Sequence, residues 1–100
     1  MTKNASLKMT KKNKILKKII ADADEFIRAD IARSKTIPLE ILNELVLDNS
    51  YFVRIEVANN QNSSTQILLN LLLDKNPGVR EIASMNLMNK KRLSNCKNKM

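Results

Sequence analysis

One hundred residues with eighteen Lys and Arg against ten Asp and Glu, a net charge of +8, one Gly, two Pro and no His or Trp make a single domain with a modest core. The scarcity of Gly and the weight of Leu, Ile, Lys, Asn and Ala argue for helices joined by short turns rather than a sheet with Gly-rich hairpins. The same composition removes chemistries: no His for acid–base work near neutral pH, no Gly-rich phosphate cradle, no Cys/His/carboxylate cluster at metal spacing, and no run of roughly 18 apolar residues to span a membrane.

The charge is unevenly placed. Residues 1–18 hold seven Lys and no acid, and residues 90–100 hold Lys90, Lys91, Arg92, Lys97 and Lys99, again with no acid. Residues 19–89 carry six basic and ten acidic side chains, a net −4, so a mildly acidic body has two basic ends. The opening residues lack an apolar signal-peptide core, and the lone Cys96 has no internal disulfide partner. Both point to a cytoplasmic protein with Cys96 as an incidental thiol.

Taken in order, residues 1–9 read as a basic arm. A first helix is expected at 11–21, with Ile15, Leu16, Ile19 and Ile20 facing inward and Lys11, Lys14 and Lys18 forming an outer stripe. A second follows at 25–33, with Asp24 as its N-cap. The third, 38–47, opens on Pro38 at its first position. The fourth, 51–59, is capped by Ser50, and Phe26 and Phe52 look like core. Ser63 and Gln66 form a capping-box pattern for a fifth at 64–73. Asn76 and Pro77 open a sixth at 77–89, and a basic tail, 91–100, closes the chain. The short second helix of each pair leaves room for 3₁₀ geometry.

A shift of 26 overlays the sequence on itself. Asp22, Asp48 and Asp74 coincide, as do Arg28, Arg54 and Arg80, each Arg preceded by Ile27, Val53 or Val79. Ile15, Ile41 and Ile67 align, then Leu16, Leu42 and Leu68, then Ile19, Leu45 and Leu71. A fixed period of this size predicts an all-α fold, a short solenoid of three two-helix units at about 10–35, 36–61 and 62–90. An Asp closing a helix faces the negative end of the macrodipole. Its recurrence with an Arg six residues on predicts a structural ladder of Asp–Arg pairs, across each turn or between neighbouring units. The alternative is that Arg28, Arg54 and Arg80 form a row for phosphates.

IPLEILNELVLDNSYFVRIEVANNQ, residues 37–61, resembles leucine-rich variant and HEAT-like helical repeats through Pro38, Leu42, Leu45, Asp48, Val53, Arg54, Val57, Ala58 and Asn60. The third copy carries Leu68, Leu71, Asp74, Val79, Arg80, Ala83 and Asn86, and the first Leu16, Ile19, Asp22, Ile27, Arg28, Ile31 and Ala32. The Asn-Pro that precedes the first helix in that family is absent: 34–38 reads SKTIP and 60–64 reads NQNSS. The resemblance implies a right-handed α-solenoid, a recognition surface and no catalytic residue.

Two surfaces stand out as candidates for binding. Leu69 and Leu73 make the third unit's first helix apolar nearly all round, so either the chain after Pro77 folds over it as a cap or the patch meets a partner or another copy. The lysine stripe Lys11, Lys14 and Lys18 reads as a solvated face or as a contact for phosphate backbones, helped by the basic C-terminal end. The expected function is a protein–protein interaction adaptor without cofactor or catalysis. Backbone binding to nucleic acid is the alternative.

Overall fold

The computed structural model describes residues 11–98, with side chains through residue 93. The basic arm at 1–9 and the Cys96 thiol lie outside the described residues. Among the described residues six helices follow one another: α1 (Lys11–Asp22), α2 (Glu25–Arg33), α3 (Leu39–Leu45), α4 (Tyr51–Asn59), α5 (Thr65–Leu71) and α6 (Pro77–Asn98). Among the described residues there is no strand, and the expected 3₁₀ geometry is absent too, because the second helix of each pair keeps α hydrogen bonding.

The helix ends differ from expectation in ways the hydrogen bonds explain. Pro38 and Ser64 stand one place earlier than expected, as N-caps of α3 and α5 rather than first helical residues. The Ser64 hydroxyl accepts from the Ile67 amide at 3.2 Å, so the Ser63/Gln66 capping box does not form. Ser63 is fully buried instead and donates at 2.6 Å to the Val57 carbonyl, which also accepts from the Asn60 amide at 3.2 Å. At the other end, α3 and α5 stop at Leu45 and Leu71, two residues short of expectation. The amides of Leu47, Asp48, Leu73 and Asp74 reach back only three residues, which tightens both last turns.

α2, α4 and α6 pack side by side with α4 in the middle. α5 lies against α6, α3 and α5 both touch α4, and α1 touches α3. The core is the periodic set from the sequence: Ile41, Leu42, Leu45, Val53, Val57, Ala58, Ile67, Leu68, Leu71, Val79 and Ala83 are at most 2 % exposed. The first helix departs from this. Leu16 and Ile20 pack on the core, but Ile15 is 57 % and Ile19 51 % exposed, against the inward placement expected for all four. The positions matching Ile15 and Ile19 are buried in the second and third units. In α1 nothing among the described residues packs on that face.

α6 also departs. The sequence puts its end near residue 89. It runs to Asn98 without a break. No Gly or Pro interrupts it, and Leu87 and Met88 continue a helix where the second unit has the turn sequence Gln61-Asn62. Met85, Met88 and Leu93 remain exposed.

Asparagines tie the second helices together at their C-terminal ends. The Asn60 amide donates to the carbonyls of Ala32 at 2.7 Å and Ser34 at 2.9 Å. One period later, the Asn86 amide donates to Ala58 at 2.9 Å and Asn60 at 3.1 Å. Each therefore closes off the last carbonyls of the preceding helix, which have no intrahelical partner. Asn60 is buried and Asn86 half-buried. Asn60→Ala should cost about 2 kcal/mol of unfolding free energy, because it strands buried acceptors, and Asn86→Ala should cost less. Urea denaturation of the two variants checks the order.

Candidate partner-binding edge

At the opposite ends of these helices the Asp and Arg side chains meet, but not across their own turns. Arg28 donates to the Asp48 carboxylate through Nε at 2.8 Å and Nη2 at 3.0 Å. Arg54 grips Asp74 the same way, at 2.7 and 3.2 Å. Each bidentate pair spans 20 residues and joins one unit to the next. The six-residue spacing serves the backbone instead: Nη1 of Arg54 donates to the carbonyl of Asp48 and Nη1 of Arg80 to that of Asp74, both at 2.7 Å. Arg28 does likewise with the Ala23 carbonyl at 2.8 Å.

The carboxylates face away from their own arginines because each also closes a turn. Asp48 accepts from the Ser50 amide and Asp74 from the Asn76 amide, both at 2.9 Å. An Asp that sits badly at the end of one helix thus sits well just before the positive N-terminus of the next. The Arg28 and Arg54 forks are filled by carboxylates and carbonyls, so they do not form an open phosphate-binding row. Asp22 and Arg80 occupy the two ends of the ladder. Among the described residues Asp22 meets no cation and Arg80 no carboxylate.

Burial acts first on these carboxyls and pushes their pKa up. The arginine hydrogen bonds and the turn amides outweigh it, leaving Asp48 and Asp74 below the ordinary carboxylate value. Hydrogen bonding to Asp48 raises the Arg28 guanidinium in turn. The Arg54–Asp74 pair is the more deeply placed, with both side chains 7 % exposed.

Over this ladder the edge of the molecule is apolar. Phe26 is 64 % exposed, Phe52 43 % and Tyr51 45 %, which corrects the expectation that the Phe pair is core. The Phe26 and Phe52 rings lie 5.8 Å apart and Tyr51 stacks on Phe52 at 4.8 Å. They stand in the first turns of α2 and α4, set by caps and cross-links beneath them. Asp24 accepts from the Ile27 amide at 2.9 Å, as expected of an N-cap. Ser50 caps by position but gives its hydroxyl to Glu25 at 2.6 Å. The row ends at Gly78, where a β-carbon would sit 3.1 Å from Asn76 Oδ1. That oxygen is occupied as the cap of α6, accepting from the Gly78 and Val79 amides.

Leu47 and Leu73 stand on the turns of the same edge, 84 % and 85 % exposed. An open groove of about 380 Å³, lined by Leu47, Asp48, Arg54, Asp74 and Lys75 among others, runs between the two turns. Leu73 therefore belongs to a repeated position and does not share an end face with Leu69. Leu69, 46 % exposed, lines a different groove of about 530 Å³ with Thr65, Ser84, Leu87, Met88, Lys90 and Lys91, between α5 and α6. Lys11, Lys14 and Lys18 are exposed and make no ion pair among the described residues, whereas Lys17 reaches Glu44 at 3.3 Å. Sequence reasoning missed the aromatic cluster, although Phe26 and Phe52 are 26 residues apart and that spacing was the available signal. No group of three or more His, Cys, Asp or Glu among the described residues could hold a metal ion, and no helix is long and apolar enough to cross a membrane.

No family model matches the chain, and neither a curated protein nor a solved structure does.

Removing one side of the buried Arg54–Asp74 pair strands the other, so Arg54→Ala should lower unfolding free energy by about 3 kcal/mol. Arg80→Ala, at an exposed site with one backbone bond, should change it by less than about 1 kcal/mol. Equal losses in chemical denaturation would contradict the ladder's role. Acid supplies a second check. Carboxyls held below their ordinary pKa contribute fully above about pH 4. That contribution is lost as pH falls from there through their lowered native values. The thermal midpoint should drop over that range, and it should drop less steeply in an Asp48→Asn, Asp74→Asn variant that is already weaker at neutral pH.

Proposed function

We propose that the chain is a short right-handed α-solenoid of three two-helix units, of the kind seen in leucine-rich variant and HEAT-like repeats, and that it acts in the cytoplasm as a non-catalytic protein-binding module. The 26-residue recurrence of the Arg–Asp and Asn contacts supports the stacked reading. The observation that carries the function is the turn edge itself. Five large apolar side chains, Phe26, Leu47, Tyr51, Phe52 and Leu73, stand 43 to 85 % exposed there on a cross-linked base. Exposed apolar groups concentrated on one edge mark interaction surfaces, and aromatic side chains on a rigid support make strong anchors. Asp24 lies beside this row in sequence, so the partner it suits offers apolar pockets flanked by a cation.

A second reading has its own observation. Lys11, Lys14 and Lys18 are exposed and free of ion pairs among the described residues, as a contact for nucleic-acid backbone needs. Binding of that kind would be sequence-tolerant and steeply salt-dependent.

Affinity capture from a native lysate, with and without nuclease, separates the two. Leu47→Ser with Leu73→Ser should change stability by no more than about 1 kcal/mol, since both side chains are exposed, yet abolish protein capture that nuclease does not affect. Replacing Lys11, Lys14 and Lys18 with Glu should leave that capture intact. Capture that nuclease removes, and that the lysine variant loses while the leucine variant keeps it, would establish the backbone reading instead.

A further inference from the structure

The ladder has a direction. Each arginine fork is filled by the aspartate of the unit that follows it: Arg28 by Asp48 and Arg54 by Asp74. Its two ends are therefore complementary and unused. Arg80 is exposed, and its one bond, from Nη1 to the Asp74 carbonyl, leaves Nε and Nη2 without an acceptor among the described residues. Those are the two atoms that grip a carboxylate in the earlier units. Asp22 is exposed and holds the register position at which Asp48 and Asp74 receive such a fork.

The apolar face of the first unit follows the same logic. Ile15, Ile19 and Ile27 are 57, 51 and 49 % exposed. Their counterparts one period on, Ile41, Leu45 and Val53, are 0, 2 and 0 % exposed, and two periods on Ile67, Leu71 and Val79 are 1, 2 and 0 %. The positions are buried wherever a unit precedes them. At the other end of the molecule, Leu69 and Met88 are 46 and 61 % exposed and form an open groove with Leu87 between α5 and α6.

We propose that a second copy of this chain stacks head to tail on the first. Arg80 of one copy grips Asp22 of the next, and the α5–α6 end of the first covers Ile15, Ile19 and Ile27 of the second. One end meets the other, so the contact is heterologous and propagates into an open chain of copies instead of stopping at a two-fold dimer. A fixed charge pair surrounded by newly buried apolar side chains sets the register. This inference rests on the stacked arrangement of units proposed above and is independent of what the turn edge binds.

Sedimentation equilibrium and light scattering at physiological ionic strength test it. The parent's average mass should rise with concentration past that of a dimer. Asp22→Lys and Arg80→Asp, each tested alone, should weaken association roughly tenfold or more while leaving the thermal midpoint near the parent's, since both side chains are exposed. An equimolar mixture of the two variants should associate more strongly than either alone, because copies that alternate join unlike charges at every junction. A parent that stays monomeric throughout, a plateau at dimer mass, single variants that associate like the parent, or a mixture no stronger than its components would each overturn the proposal. The internal stack is read separately, from the stability loss of Arg54→Ala, so its failure and the failure of assembly are told apart.

Discussion

The forward grip of each arginine on the next unit's aspartate is the contact on which the rest depends. In the stacked arrangement proposed above, a two-helix unit of 26 residues cannot bury its apolar face alone, so its neighbour must be held in register. Nonspecific packing of Leu, Ile and Val would tolerate small slips. A bidentate guanidinium–carboxylate pair does not, because both N–H groups must find their oxygens at once. Arg54 has a third donor on the Asp48 carbonyl of its own turn, so one side chain fixes the turn beneath it and the unit after it. With both side chains of the Arg54–Asp74 pair nearly out of water, neither can be left unpaired at small cost.

That dual use explains which parts of the fold were legible in the sequence. The apolar pairs at 15/16, 41/42 and 67/68 and their partners one turn on were visible three times over. Among the described residues a helix stands at each of the six expected places, although α3 and α5 end two residues early and α6 runs on to Asn98. Asp–Arg coupling was legible as a spacing, but the spacing of six turned out to record a side-chain-to-carbonyl bond. The carboxylate partner lies 20 residues away, which is the second of the two pairings the repeat allowed, between neighbouring units. Ser63 against Ser64 was a one-residue ambiguity. It is settled by burial: the fully buried Ser63 hydroxyl donates to the Val57 carbonyl, and Ser64 is left to cap α5. Ile15 and Ile19 were misread for the opposite reason: the repeat assigns them an inward position, but that position is buried only when another unit packs before it.

The turn edge was the least legible part. Hydrophobic residues at helical spacing read as core by default, and Phe26 and Phe52 carry no local mark that sets them outside. What places them there is geometry. They occupy the first turns of α2 and α4, and in α4 the neighbouring position, Val53, takes the inward direction. Val53 is fully buried while Phe52 beside it is 43 % exposed. Leu69 and Leu73 were grouped because both make the third unit's first helix apolar nearly all round, yet α5 ends at Leu71. The turn that follows carries Leu73 to the ladder side, where Leu47 already stands in the preceding turn.

The two edges of the molecule are held by opposite chemistry, and the helix dipoles say why. Where α4 and α6 begin, partial positive charge favours carboxylates, and Asp48 and Asp74 supply them with arginine as counter-ion. Where α2 and α4 end, partial negative charge favours donors, and the neutral amides of Asn60 and Asn86 supply those. Each cross-link thus satisfies backbone groups that helix ends leave open while it joins two units. Stability is assigned to buried or half-buried polar side chains under both edges. The large apolar groups standing outside the ladder at 26, 47, 52 and 73 lie outside the buried core that holds the units together. Such residues, carried on a rigid base and left in water, are what a partner surface would need, and folding alone gives no reason to keep them there.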